Sequence, residues 1–223
     1  MAERRARPGL ALLLALALAG PAGAESGTEI LFSPGQLGGV ATGETLVYAH
    51  DRAAMPEAMA PAASGTWRLA VETRDETRAA LLSIGREGRT PRLLDPFPAG
   101  EEAGNPVLMA FLETVTRRVA EASGGSPFYI RNRIRDAFRA GGEIGPAGEG
   151  PEDARRIVYR PFEGDPNAAR LGPFAELTLA FTVAESVPGR LLGLTAETDG
   201  AEPAYRETLR LVPGAPNPQE DPT

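Results

Sequence analysis

The hydrophobic period of this chain changes twice, and that limits the folds open to it more than any other feature. Apolar and polar residues alternate in runs between Thr45 and Leu94, broken by an Ala/Met/Pro/Gly loop over 53–65, apolar residues recur at helical spacing between Pro106 and Arg139, and alternation returns in runs between Arg155 and Val212. A period of two belongs to strands with one wet face, and a period of 3.6 to helices with one apolar stripe. The segment TWRLAVETR, residues 66–74, sets Trp67, Leu69 and Val71 on one side and Arg68 and Glu72 on the other. Strands are expected over 45–51, 66–74, 79–86 and 89–94, with Asp75-Glu76 and Glu87-Gly88 as tight turns. A second set is expected over 155–162, 174–184, 190–198 and 205–212, with Leu177, Leu179, Phe181 and Val183 sharing a face.

Between the two sets, Asn105-Pro106 and Ser126-Pro127 each put a capping side chain before a proline. That pairing starts a helix, because the cap accepts from an orphan amide and proline fits the first helical position. Leu108, Phe111, Leu112, Val115 and Val119 make one apolar face, and Gly124-Gly125 ends the first helix. Ile130, Ile134, Ala137 and Phe138 make the buried face of the second, which Gly141-Gly142 closes. Residues 141–154 read as a flexible loop. Short turns between successive strands require antiparallel pairing. The expected fold is therefore α+β: a largely antiparallel, curled sheet of about eight strands with a central two-helix insertion packed on one face. Strand counting leaves open whether the sheet closes into a barrel and whether its interior is filled. Trp67, Phe97, Phe111, Phe128, Tyr129, Phe138, Phe174 and Phe181 are the aromatic residues expected in the core.

The first 24 residues follow a different pattern. Arg4, Arg5 and Arg7 precede an uninterrupted Leu/Ala run from Leu10 to Ala19, and Ala22-Gly23-Ala24 follows. A basic start, a short apolar run and small residues are the three parts of a secretory signal peptide, with cleavage expected after Ala24. The run is too short for a spanning helix of roughly 20 apolar residues, and no later stretch is long or apolar enough, so no membrane span is expected after cleavage. Residues 25–43, Gly-rich, read as an N-terminal arm or first strand, 44–212 as a single α+β domain, and 213–223 as a disordered tail. The periplasm is the expected location.

Composition then removes whole classes of chemistry. The chain of 223 residues has no Cys, no Lys and one His. This excludes disulfides, thiol nucleophiles, lysine Schiff bases and a His-rich metal site within one chain. No cofactor is expected. Cleavage after Ala24 leaves 20 Arg against 29 acidic residues, a net charge of −9. Such a surface repels a phosphate backbone, so no nucleic-acid partner is expected.

Against that acidic background, residues 117–139 carry six Arg and two acids. Arg131, Arg135 and Arg139 fall at i, i+4, i+8, one helical stripe with no carboxylate in the row, and Arg117 and Arg118 lie on the preceding helix. Like charges at this spacing repel by a few tenths of a kcal/mol, so something should offset them. Acids of the sheet would make the stripe a structural network; an anionic ligand would make it a binding site, because guanidinium forks match oxyanions. His50 is the other candidate. It shares a strand face with Tyr48, while the adjacent Asp51 points away, so a general-base role needs a distant acid. No G-x-S-x-G motif accompanies it. The carboxylate pairs Asp75-Glu76, Glu101-Glu102 and Glu152-Asp153 lie in loops or turns without a calcium-loop pattern. Residues 96–106, PFPAGEEAGNP, form a shaped loop that either closes over a sheet face or connects strand to helix.

The stretch GNPVLMAFLETVTRRVAEASGGSPFYIRNRIRDAF, residues 104–138, resembles a segment of uncharacterised exported proteins of alphaproteobacteria. That resemblance implies export and brings no activity with it. The layout of an exported antiparallel sheet with helices over one face is similar to periplasmic lipid or lipoprotein carriers, a likeness of architecture without a shared motif. The reading favoured by the residues is a periplasmic, non-enzymatic binding protein. Its ligand would be a lipid or anionic small molecule, or an envelope protein, bound by Arg131, Arg135, Arg139, Arg117 and Arg118. The alternatives are a hydrolase using His50 as general base and a structural component of an envelope assembly.

Overall fold

The computed structural model describes residues 25–53, 62–199 and 204–215. The expected signal peptide, and residues 216–223 of the expected tail, lie outside the described residues. The described residues form ten strands, β1 (Thr45–Arg52), β2 (Ala63–Arg74), β3 (Thr77–Arg86), β4 (Arg89–Leu93), β5 (Phe97–Pro98), β6 (Glu143–Pro146), β7 (Arg155–Tyr159), β8 (Leu177–Val183), β9 (Leu191–Thr198) and β10 (Arg206–Leu211). The helices are α1 (Gly27–Phe32), α2 (Pro106–Ser123), α3 (Pro127–Ala140) and α4 (Ala168–Leu171), the last running into a 3-10 turn over Gly172–Glu176.

All strand pairs are antiparallel, in the order β4-β3-β2-β1-β10-β9-β8-β7-β6, with β5 added beside β3. Two meanders, one before and one after the α2–α3 insertion, are thus joined where the first strand pairs with the last. The sheet is open, with β4 and β6 at its edges. Arg89, Pro91 and Arg92 on the fully exposed β4 are residues that discourage a further strand from adding there.

The alternation read from the sequence is what decides the faces. Tyr48, Trp67, Leu69, Val71, Leu179, Phe181 and Leu194 point to the helical side and are fully buried with Phe111, Val115, Val119 and Ile130 of the helices. At Asp75 and Glu76 both φ angles are positive, the mirror-image turn that matches strand twist between Arg74 and Thr77. Asn105 caps α2 by accepting from the Val107 amide at 3.0 Å, and Gly124 ends it in the left-handed conformation. Ser126 occupies the cap position of α3, but its side chain makes no capping hydrogen bond.

Several expectations are corrected. Among the described residues the sheet has ten strands where about eight were expected, and the short helices α1 and α4 stand beside the expected pair α2–α3. Residues 27–32 form a helix where an arm or strand was expected. Ser26 and Glu29 close a reciprocal capping box there, and Gly27 at its start approaches β7 so closely that a Cβ would lie 2.5 Å from Ile157 Cγ2. Part of the expected loop 141–154 is β6, paired with β7. The strand expected from Phe174 begins at Leu177, because Pro173 starts the 3-10 turn. Phe128 is not in the core: it is 69% exposed at the start of α3.

Candidate functional site

The face of α2 that turns toward α3 does not close against it. Leu112 and Thr116 of α2, and Ile134 and Phe138 of α3, floor a groove whose walls are Phe32 of α1 and Leu94 and Phe97 from the β4–β5 segment. Its volume is about 590 Å³, within the roughly 300–1,000 Å³ of small-molecule sites. Two large apolar side chains stand open to solvent on it, Met109 at 56% and Phe32 at 40% exposure. Phe32, Phe97 and Met109 also line a neighbouring chamber of about 490 Å³ beneath the loop 98–106, so the two adjoin along these side chains. The Pro/Gly-rich loop thereby forms a wall as well as a connection.

Tertiary hydrogen bonds fix these walls. Arg78 of β3 donates to the carbonyls of Leu37, Val40 and Ala99, tying the segment after α1 to the one after β5. The Thr28 hydroxyl donates to the Phe138 carbonyl at 2.6 Å, and the Phe32 and Phe138 rings meet edge to face at 5.3 Å. Edge-to-face contact of this kind is worth about 0.5–1.5 kcal/mol beyond area burial.

Charge enters the groove at one rim, through Arg131, Arg135, Arg139 and Glu113. The three arginines of the expected stripe therefore line one groove. Arg131 donates to Glu113 at 2.9 Å and Arg139 to Asp136 at 3.1 Å, whereas exposed Arg135 has no ion pair among the described residues. Arg117 and Arg118 are not brought to this rim. They pair within α2, to Glu113 at 2.7 Å and Glu121 at 2.7 Å, and line a separate cleft on the other flank of the helix. Glu113 stands between the two flanks. Burial pushes its carboxyl up, but the hydrogen bonds and charges of Arg131 and Arg117 outweigh that and hold it below its usual value.

His50 lies inside the sheet–helix interface. Its Nε2 is 2.7 Å from Glu207 Oε1 of β10, the Tyr205 hydroxyl donates to Glu207 Oε2 at 2.5 Å, and Arg52 Nη1 is 3.9 Å from Oε1. The distant acid that a general base would need thus exists. Burial pushes the Glu207 carboxyl up, but the hydrogen bonds from His50 and Tyr205 and the charges of His50 and Arg52 hold it below its usual value. The His50–Glu207 pair is sealed: His50 is 3% and Glu207 0% exposed, and neither lines any of the cavities described. The arrangement clamps β1 to β10. Among the described residues no group of His, Asp and Glu gathers as a metal ion would need, and no helix is long and apolar enough to cross a membrane.

Sequence reasoning singled out the loop 96–106, which carries Phe97, but missed the wall that α1 supplies and missed Glu207. Glu207 is the one acid on the inward face of β10, an alternation signal readable as a buried partner for His50. No protein-family model matches the sequence, and no curated protein matches it significantly.

Proposed function

We propose that this is an exported periplasmic binding protein, without catalytic chemistry of its own, whose ligand is an anionic amphiphile. One observation carries the reading: an open apolar groove with exposed Phe32 and Met109 is rimmed on one side by Arg131, Arg135 and Arg139, in a chain whose formal net charge is −7. Apolar walls reward an alkyl chain, and the guanidinium rim rewards an acidic head group. Arg135 supplies the free fork, and Arg131 is poised to exchange Glu113 for a ligand oxyanion. The three-part N-terminal pattern supports export.

Native mass spectrometry of the protein expressed with its N-terminal segment and purified from the periplasm tests this. A retained mass matching an anionic amphiphile is the expected result. Protein that is consistently free of ligand and monomeric, and that fails to quench or enhance a dansyl-labelled undecanoic acid, would sink the reading. A stoichiometric envelope protein in place of a small mass would move the groove to the assembly reading. Retention in the cytoplasm with residues 1–24 uncleaved would remove the proposed location.

A further inference from the structure

The other flank of α2 carries a different chemistry. A cleft of about 420 Å³ opens between the β3–β4 hairpin and α2. Arg86, Arg89 and Arg92 line it from the hairpin, and Arg117 and Arg118 from the helix, against two acids, Glu113 and Glu121. Each acid is already engaged, Glu113 by Arg117 and Arg131 and Glu121 by Arg118. Arg86, Arg89 and Arg92 have no ion pair among the described residues. A second hollow continues past Arg86, Arg89 and Arg118 to Arg52, with Asp51 and Glu87 on its margin. Glu87 there accepts from the Ser64 hydroxyl at 2.6 Å.

Strand register makes the concentration of positive charge more demanding. Arg86 and Arg89 are direct partners across the two-residue Glu87-Gly88 turn, and Arg92 sits opposite Ile84 one step further along a bulged pairing. Like charges directly opposite each other destabilise a hairpin. Burial and the charges of Arg118, Arg52 and Arg89 push the Arg86 guanidinium below its usual value, and Glu207 only partly opposes them. The chain has 30 acids available, yet the cleft is left with an excess of guanidiniums.

We propose that this cleft is an anion site for a phosphate group, a phosphomonoester or pyrophosphate held by Arg86, Arg89 and Arg92 with Arg117 and Arg118 closing from α2. Planar guanidinium forks bind phosphate oxygens in pairs, and several around one cleft select a multiply charged oxyanion over a carboxylate. Leu94, Ala110 and Glu113 line both this cleft and the apolar groove. The phosphate therefore has two possible sources. It is the head group of an amphiphile whose chain lies in the groove, or it belongs to a soluble phosphate compound that occupies the cleft alone. The site itself does not rest on the groove's having a ligand.

Isothermal titration of the whole protein with inorganic pyrophosphate, at low and physiological salt, tests the site directly. Saturable binding that weakens with salt is expected, and R89Q/R92Q should weaken it by about tenfold or more. The matched double variant R68Q/R210Q removes the same charge from exposed positions outside every cavity described, and should bind as the parent does. Circular dichroism of each variant confirms that the sheet persists, and single R92Q serves if the double variant does not fold. No pyrophosphate binding, or equal loss in both double variants, overturns the proposal. Dodecyl phosphate and methyl phosphate then separate the sources. Much tighter binding of the first supports a head group, and equal binding of the two supports a soluble phosphate compound. A groove that proves empty in native mass spectrometry leaves the pyrophosphate result untouched.

Discussion

The two flanks of α2 are written by one sequence and have opposite characters. Toward α3, the helix shows Met109, Leu112 and Thr116 and leaves an apolar groove; toward the β3–β4 hairpin, it shows Thr114, Arg117, Arg118 and Glu121 and leaves an arginine-lined cleft. Ala110 and Glu113 lie on the boundary and belong to both. Residues three and four apart share a helix face while neighbours do not, so one 18-residue helix can serve two chemistries side by side. The lesson is that an excess of charge in a sequence window need not mark one site. The six arginines between 117 and 139 are divided among the groove rim, the cleft and the Arg133–Asp165 pair at 2.7 Å.

The sharpest way to break the contrast is to remove the support beneath it. Glu207→Ala leaves His50 and Arg52 buried beside a missing carboxylate, and should cost about 3–5 kcal/mol of stability in a denaturant titration. The second hollow beside the cleft should loosen with it, because Arg52 lines that hollow. Acid should act in the same sense. Glu207 titrates below its unfolded value, so its stabilisation is complete above the ordinary Glu range and is lost as pH falls through the lowered value. A melting-temperature series from neutral to acid pH should show the parent losing stability, and E207Q should flatten that loss.

Smaller changes should separate the flanks from each other. Met109→Arg puts a charge into the groove from an exposed position. It should change stability by no more than about 0.5 kcal/mol. Binding of a dansyl-labelled fatty acid should fall about tenfold, a loss of about 1.4 kcal/mol, with pyrophosphate binding unchanged. Equal loss of both ligands would mean that the two flanks are one site. The smallest effect is expected of Glu113→Gln, which frees Arg117 and Arg131 together. Loss of two partly exposed pairs should cost about 0.5–1 kcal/mol, while anion affinity should rise severalfold on both flanks in titrations at low salt.

How much of this was legible depends on how far each feature reaches along the chain. The helices α2 and α3 were readable because cap, proline, apolar stripe and terminal glycine all lie within one segment. The inward faces of β2 and β8 were readable because alternation is local. The helix α1 was hidden by its six-residue length and Gly-rich flanks, although Ser26-x-x-Glu29 was present as a capping signal. The short β6 was hidden by glycine and proline in a segment with little alternation. The Arg131/135/139 stripe was visible as helical spacing, but the capture of Arg131 by Glu113 was not, since the two sit on different helices. The groove walls come from α1 and from the β4–β5 segment, which no window on α3 contains. The arginines of the hairpin read simply as a strand pair, because only the docking of α2 turns them into one side of a cleft.

The pairing of β1 with β10 also governs the order of assembly. His50 and Glu207 are 157 residues apart, and the backbone seam between their strands is what joins the two meanders. Such long-range closure is slow, since loop entropy is lost before the contact forms. As the chain is synthesised, the first meander can form early, but its open side along β1 waits for nearly the last described segment. A chain stopped before Arg206 keeps both halves and lacks the strand between them, leaving two adhesive edges in the middle of what should be one sheet. Truncation there should therefore yield aggregates instead of a smaller soluble domain, and the timing of the final strand becomes a control on when this protein is folded at all.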